Sequence, residues 1–247
     1  MPLKNLDDAF YKEKSILDIS DIVNWKKQNK KYNFTSLPKT AILTVQHNVI
    51  SRKRSLFYKK TKGVTGKNYI INANLLLCTK FGIGAPAVIG LMEELRVLGV
   101  TKFFFIGLAG RIDNTITEGE ICMAKTIFST TGCSVLYASG EYFEPIKNDW
   151  SINLCSKLNY KEVIGWSTDA PFRETPSLIA HYKTKGAKLV DMESAAIYAF
   201  AKFHNLNALC VLIAADSLSE MNWLPPKHMH GLNDSMLQVF KVLSKIS

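Results

Sequence analysis

The stretch "NYIINANLLLCTKFGIGAPAVIGLMEELRVLGVTKFFFIGLAG", Asn68–Gly110, decides the fold. Its first third is rich in strand-favouring residues and ends in the glycine turn "GIGAP", Gly82–Pro86. "AVIGLMEELRVLG" follows, with Ile89, Met92, Leu95 and Leu98 at helical spacing and Glu93, Glu94 and Arg96 on the other side. Gly99 is placed to stop that helix, and "KFFFIG" then reads as a short apolar strand that ends at the glycines of "GLAG", Gly107–Gly110. Strand, helix, strand is a crossover unit, and crossovers imply a parallel sheet.

The same alternation continues on both sides. "TAILTV", Thr40–Val45, is the first convincing strand, and residues 1–36 before it read as a polar, amphipathic extension with one or two helices. "ALCVLIAAD", Ala208–Asp216, is a continuous apolar run of the kind found in strands covered on both faces. "SMLQVFKVL" near the end reads as a short amphipathic helix, and Glu118 to Tyr160 is less regular. The expected architecture is a single α/β domain over residues 37–247, with a twisted, mixed, mostly parallel sheet wound with helices on both faces. Ligands in such folds bind at the C-terminal ends of the strands.

The totals narrow the class. A chain of 247 residues with 47 % apolar content buries a sizeable core. No apolar run approaches the ~20 residues of a membrane span, and "MPLKNLDDAFYKEK" lacks the apolar centre of a secretion signal, so a cytoplasmic protein is expected. Cys78, Cys122, Cys133, Cys155 and Cys210 form no CxxC pair, and the five histidines show no metal spacing. Neither a metal site nor a disulfide framework is expected. The net charge of +10 concentrates in "WKKQNKK", "SRKR" and "YKKTKGVTGK", which read as solvated faces because no nucleic-acid-binding signature accompanies them.

Several residues carry chemistry. "GIGAP" puts flexible backbone and a helix N-terminus together, suiting either a tight turn or an anion site. In "KLVDMESAAIYAF", Lys188–Phe200, Glu193 falls where a strand gives way to a helix; it is either a first-turn glutamate favoured by the helix dipole or a carboxylate aimed into a cleft. Asp216 ends an apolar strand and is either an N-cap or a second cleft acid. "STDAPFRET", Ser167–Thr175, offers Phe172, either a core residue or a ligand-facing aromatic, and Arg173, either a surface residue, a partner of Asp169 or a fork-shaped donor; an aromatic beside such a donor suits a planar ligand.

In this order, these pieces resemble the nucleoside phosphorylase superfamily, in its uridine phosphorylase and hexameric purine nucleoside phosphorylase branch. "GIGAP" with the helix after it is similar to that family's GxGxPS turn, "FFFIGLAG" to its strand ending in G-T/S-x-G, "VDMESAAIYAFA" to its E-M-E-[AS]-A segment, and "LIAADS" to its strand ending in Ser-Asp. The likeness runs over roughly residues 40–245. It implies cleavage of the N-glycosidic bond of a purine nucleoside, with phosphorolysis ahead of hydrolysis and a nucleoside-binding protein without turnover as a further alternative. Carried over residue by residue, Glu193 would grip the ribose hydroxyls, Met192 would pack on the sugar, Asp216 would protonate the purine, and Asp191 would be structural. Gly110, Ala109, Phe172 and Arg173 would contact substrate, and Gly82, Gly84, Gly107 and Arg52 would hold phosphate, the one co-substrate implied; no cofactor is. A homo-oligomer, either a dimer or a trimer of dimers, is the implied assembly.

The chain also departs from the pattern. Phe105 stands where phosphorylases carry a phosphate-binding arginine, Leu108 where they carry Ser or Thr, and Ala87 at the serine of GxGxPS. "QHNVISR" replaces the G-D-P-x-R loop, leaving Arg52, Arg54 or Arg111 to supply a cation.

Overall fold

The structure, a computed structural model, describes residues 9–46, 49, 57–146 and 157–245. Ten strands run in chain order as β1 (Thr40–Thr44), β2 (Lys59–Thr61), β3 (Lys67–Asn72), β4 (Leu75–Thr79), β5 (Lys102–Arg111), β6 (Ile121–Ser129), β7 (Tyr142–Phe143), β8 (Lys161–Ser167), β9 (Ala187–Asp191) and β10 (Asn207–Ser217). The α-helices are α1 (Ile19–Gln28), α2 (Ala85–Val97), α3 (Gly132–Tyr137), α4 (Pro176–Thr184), α5 (Ser194–His204) and α6 (Met229–Leu243). None of these helices is long and apolar enough to cross a membrane.

The crossover unit is present as read: β4 and β5 both pair in parallel with β1, and α2 connects them. β10 joins the other side of β5, again in parallel. Alternation along these strands explains their unbroken apolar sequence. Ala41, Leu43, Phe103 and Phe105 pack with residues of α2 and α5 on one face. Ile42, Phe104 and Ile106 pack with Leu232, Met236 and Phe240 of α6 on the other. Each strand is buried on both sides, so most positions are apolar, with buried threonines such as Thr44 and Thr79 at their ends.

One expectation needs correction. "GLAG" is not a turn that ends a strand. β5 continues through it to Arg111, pairing with β10 on one side and, at Gly110 and Arg111, with β9 on the other. Together the ladders β5–β10, β10–β6, β6–β8, β8–β9 and β9–β5 close a ring of five strands beside the open part of the sheet. The sheet is therefore mixed and partly closed rather than an open doubly wound array. Gly107 is needed for packing: a Cβ there would stand 2.5 Å from the Phe105 ring.

The N-terminal segment docks on the main body. Val23 of α1 is fully buried, and Lys26 donates to Glu94 of α2 at 2.6 Å and to the Gly63 carbonyl at 2.9 Å. The Tyr32 hydroxyl donates to the same carboxylate at 2.8 Å. One member of the basic run "WKKQNKK" is thus an internal ion-pair partner rather than a solvated charge. Among the described cysteines, Cys78, Cys122 and Cys210 are buried and unpaired.

Candidate active site

The C-terminal ends of β1, β5, β9 and β10 and the N-terminus of α2 surround a cavity of about 610 Å³. Glu193 and Asp216 both face it, 23 positions apart in sequence and on different strands' ends. Met192, Gly110 and Phe172 line it as well.

Glu193 is fixed by the turn it faces. β9 ends at Asp191, and α5 begins at Ser194, so Met192 and Glu193 occupy the joint between them. Asp191 organises that joint. Its carboxylate accepts from the Ser194 amide at 3.0 Å and from the hydroxyls of Ser194 and Ser167. Ser167 in turn accepts from the Ala195 amide at 3.0 Å. With Asp191 serving as the helix cap, the Glu193 side chain is free to cross the cavity floor, where it accepts from the Gly84 amide at 2.6 Å. Gly84 holds φ +90°, which is why glycine stands at that position. The anion at the N-terminus of α2 is therefore the chain's own carboxylate. Burial, and next the charge of Asp191, pushes the Glu193 carboxyl up to about 7, with the Gly84 bond opposing them.

Asp216 also lines the cavity and is half-buried. The Trp223 indole donates to its Oδ2 at 2.9 Å. Paired bonds between Ser217 and Leu224, at 2.9 and 2.8 Å, pin the base of the loop that carries Trp223. Glu174 also lines the cavity, held between a 3-10 turn at Pro171–Arg173 and the start of α4. Burial, and next the charge of Asp216, pushes the Glu174 carboxyl up to about 7.

The remaining candidates separate. Because β5 runs straight through "GLAG", alternation turns Leu108 and Gly110 to the cavity and buries Ala109 in the core on the opposite face. Gly107 shares that core-facing parity and packs against Phe105 and Leu212. Arg173 is exposed and does not line the cavity, whereas Phe172 stands wholly exposed at its rim. Gly82, at φ +112°, shapes the turn, and its neighbour Ile83 supplies the lining. Phe105 is buried in the core, away from the cavity. The Arg111 Nε is spent on the Ala215 carbonyl at 3.2 Å. Arg52 and Arg54 lie outside the described residues. His228 caps α6 and Met229–His230 begin it, and the Glu118 carboxylate accepts from the Lys227 and His228 amides there.

Sequence reasoning missed Glu174, Trp223, Gln46 and Ile83, all of which line the cavity. Glu174 directly follows the Phe172–Arg173 pair and precedes Thr-Pro, so its place in the loop was visible. What it faces was not.

A family model described as the phosphorylase superfamily matches residues 46–235, more than half of the chain and nearly all of the cavity lining. The chain belongs to the phosphorylase superfamily. A uridine phosphorylase of Thermococcus kodakarensis is 28 % identical over 175 residues, covering 63 % of this chain and 61 % of that enzyme. The chain thus spans less than two thirds of that relative's length. Two solved structures share the superfamily fold. The purine nucleoside phosphorylase of Toxoplasma gondii, solved with immucillin-H, has a TM-score of 0.71 at 16 % identity, over 85 % of this chain and 90 % of its own. The 5'-methylthioadenosine/S-adenosyl homocysteine nucleosidase of Campylobacter jejuni has a TM-score of 0.68 at 14 % identity, over 85 % and 98 %. A phosphorylase and a nucleosidase thus both share this fold.

Proposed function

We propose that this chain cleaves the N-glycosidic bond of purine nucleosides, with Glu193 at the sugar and Asp216 at the base. The observation that carries the reading is that these two carboxylates line one cavity of about 610 Å³, within the range of small-molecule sites. Cleavage builds positive charge on the pentose and negative charge on the departing base. Glu193 accepts hydrogen bonds from the ribose hydroxyls and places negative charge beside the sugar, while Met192 packs on the ring. An acid at the Asp216 end neutralises the base, a contribution of typically ~10²–10⁴-fold. Gly110 lets the sugar approach the β5 backbone closely, and Phe172 covers the base from the rim. In this reading the chain assembles as a homo-oligomer, and phosphate is the co-substrate, with Arg52 as its cation.

A second reading, with water as the acceptor, has its own support. The described lining holds Glu174, Asp191, Glu193 and Asp216 and no lysine, arginine or histidine, and the Gly84 amide is occupied by Glu193. Such surroundings repel a phosphate dianion. Purified protein incubated with inosine, adenosine and uridine, with and without phosphate, tests both readings. Phosphate-dependent release of hypoxanthine or adenine is the expected result. Release undiminished without phosphate transfers the reaction to water, and no base release from any of the three overturns the proposal.

A further inference from the structure

The excess positive charge of this chain is confined to one stretch. Residues 22–92 carry thirteen lysines and arginines and no aspartate or glutamate, whereas the rest of the chain holds eighteen basic residues against twenty-one acidic ones. The whole net charge of +10 therefore originates in less than a third of the sequence. Lys27, Lys30, Lys31, Lys60, Lys62 and Lys67 are exposed, and none of them has an ion-pair partner among the described residues. Taken run by run along the chain, these lysines read as solvated faces. In the folded protein two of the runs become one surface. Asn33, just after the first run, donates from Nδ2 to the Lys60 carbonyl at 3.1 Å and accepts from the Lys62 amide at 2.7 Å. The Lys26 ammonium donates to the Gly63 carbonyl at 2.9 Å. Gly63 packs so closely on the first run that a Cβ there would stand 2.8 Å from the Lys31 carbonyl oxygen. The turn after α1 is thereby clamped to the β2–β3 hairpin.

Aromatic rings stand exposed in the same place. Trp25 of α1 is 55 % exposed, with the Lys31 ammonium 5.9 Å from its ring centroid. Phe57, just before β2, is 86 % exposed. Lysines on β2, the outer strand of the sheet, deter edge-to-edge pairing. That role reaches neither the lysines after α1 nor the exposed rings. Unpaired bases stack on aromatic side chains while basic side chains follow the phosphates, and a duplex offers no free base faces to such rings. None of these residues lines the candidate active-site cavity.

We propose that the joined surface of α1 and the β2–β3 hairpin binds single-stranded nucleic acid, with the lysines on the phosphates and Trp25 and Phe57 under the bases. Stacking and phosphate contacts carry no base code, so the binding tolerates any sequence. It is a second function beside the cavity, and it does not rest on nucleoside cleavage.

Fluorescence anisotropy of the full chain with a labelled oligouridylate, about 20 nucleotides long, tests the proposal at about 50 mM and about 200 mM salt. The expected result is binding at the lower salt that weakens about 50-fold at the higher, as about four phosphate contacts require. Lys30→Gln with Lys31→Gln, and Lys60→Gln with Lys62→Gln, each weaken binding and flatten its salt dependence. Trp25→Ala weakens binding about tenfold and leaves the salt dependence as it was. A duplex of equal length binds more weakly than the single strand, and base release from nucleosides is unchanged in all three variants.

No binding at the lower salt overturns the proposal. So does binding that depends on one lysine pair and not on the other, since the two runs would then not act as one surface. Trp25→Ala protein that binds as the wild type does also overturns it. Tighter binding to vesicles of phosphatidylserine and phosphatidylcholine than to the oligouridylate assigns the surface to anionic lipid instead. If Trp25→Ala fails to fold, the two lysine pairs and the comparison with duplex decide alone.

Discussion

Where the sugar is proposed to sit, Glu193 is 4 % exposed and tied to the Gly84 amide, and its backbone is set by the Asp191–Ser167–Ser194 cluster. Where the base is proposed to sit, Asp216 and Glu174 are half-buried, and Asp216 accepts from the Trp223 indole. The first end is organised before any ligand arrives. The second leaves polar groups waiting for one. Under the proposed function this difference suits substrates that share a pentose, since the invariant part would meet a rigid site and the variable base an open one. Preorganisation of this kind is where binding energy is gained most cheaply, because the side chain loses no further freedom on binding.

The strongest way to break this comparison is at Glu193. Glu193→Gln keeps an acceptor for the Gly84 amide but removes the charge, and it is expected to lower kcat/KM for a nucleoside by about 10³-fold, the equivalent of two charge-assisted hydrogen bonds at ~1.5–3 kcal/mol each. Steady-state base release measures it; a variant within tenfold of the wild type would remove the sugar end from the site. Next in size is a control away from the cavity. Glu94→Ala leaves Lys26 and Tyr32 without their shared buried partner, and the expected cost is about 3 kcal/mol of stability, seen as a lower urea midpoint, with kcat at 25 °C unchanged. A fall in kcat with stability intact would show that α1 and the cavity are coupled.

Asp216→Asn is expected to lower kcat by about 10²-fold while KM moves little, because the base end acts mainly in the transition state. A mutant that instead raises KM with kcat intact would make the base end a rigid binding surface like the sugar end. The smallest effect is on stability against pH. Burial raises Glu174 and Glu193 from an ordinary 4.5 to about 7, so between those values the folded chain binds more protons than the unfolded chain. Stability therefore falls as pH rises from about 5 to about 7 and levels off above. Urea unfolding at half-unit steps checks the sign, and Glu193→Gln is expected to flatten part of the slope.

Much of this was readable along the chain. The apolar runs of β1, β5 and β10 announced strands covered on both faces, and the helical spacing after "GIGAP" announced the crossover that makes them parallel. Those two facts put Asp216 at the same end of the sheet as the Gly82–Pro86 turn; Glu193 follows β9, which runs antiparallel to β5, and only the tertiary pairing brings it to the same cavity. The reading of "GLAG" failed for a physical reason. Glycine permits a turn and also permits close packing within a strand, and only the partners β9 and β10, far away in sequence, choose between them. Ala109 was assigned to the site by the family resemblance, and strand alternation takes its side chain to the core.

The order of apolar and polar residues, by itself, determined the layers of this protein and which strand ends carry acids, because periodicity and burial are local consequences of side-chain chemistry. Only the tertiary structure decided what each acid faces. Gly84 and Glu193 meet from 109 positions apart, and Glu174 comes under the charge of Asp216 across the mouth of the cavity. Proton affinity depends on distance and enclosure in space, and neither is written in the spacing of residues along a chain.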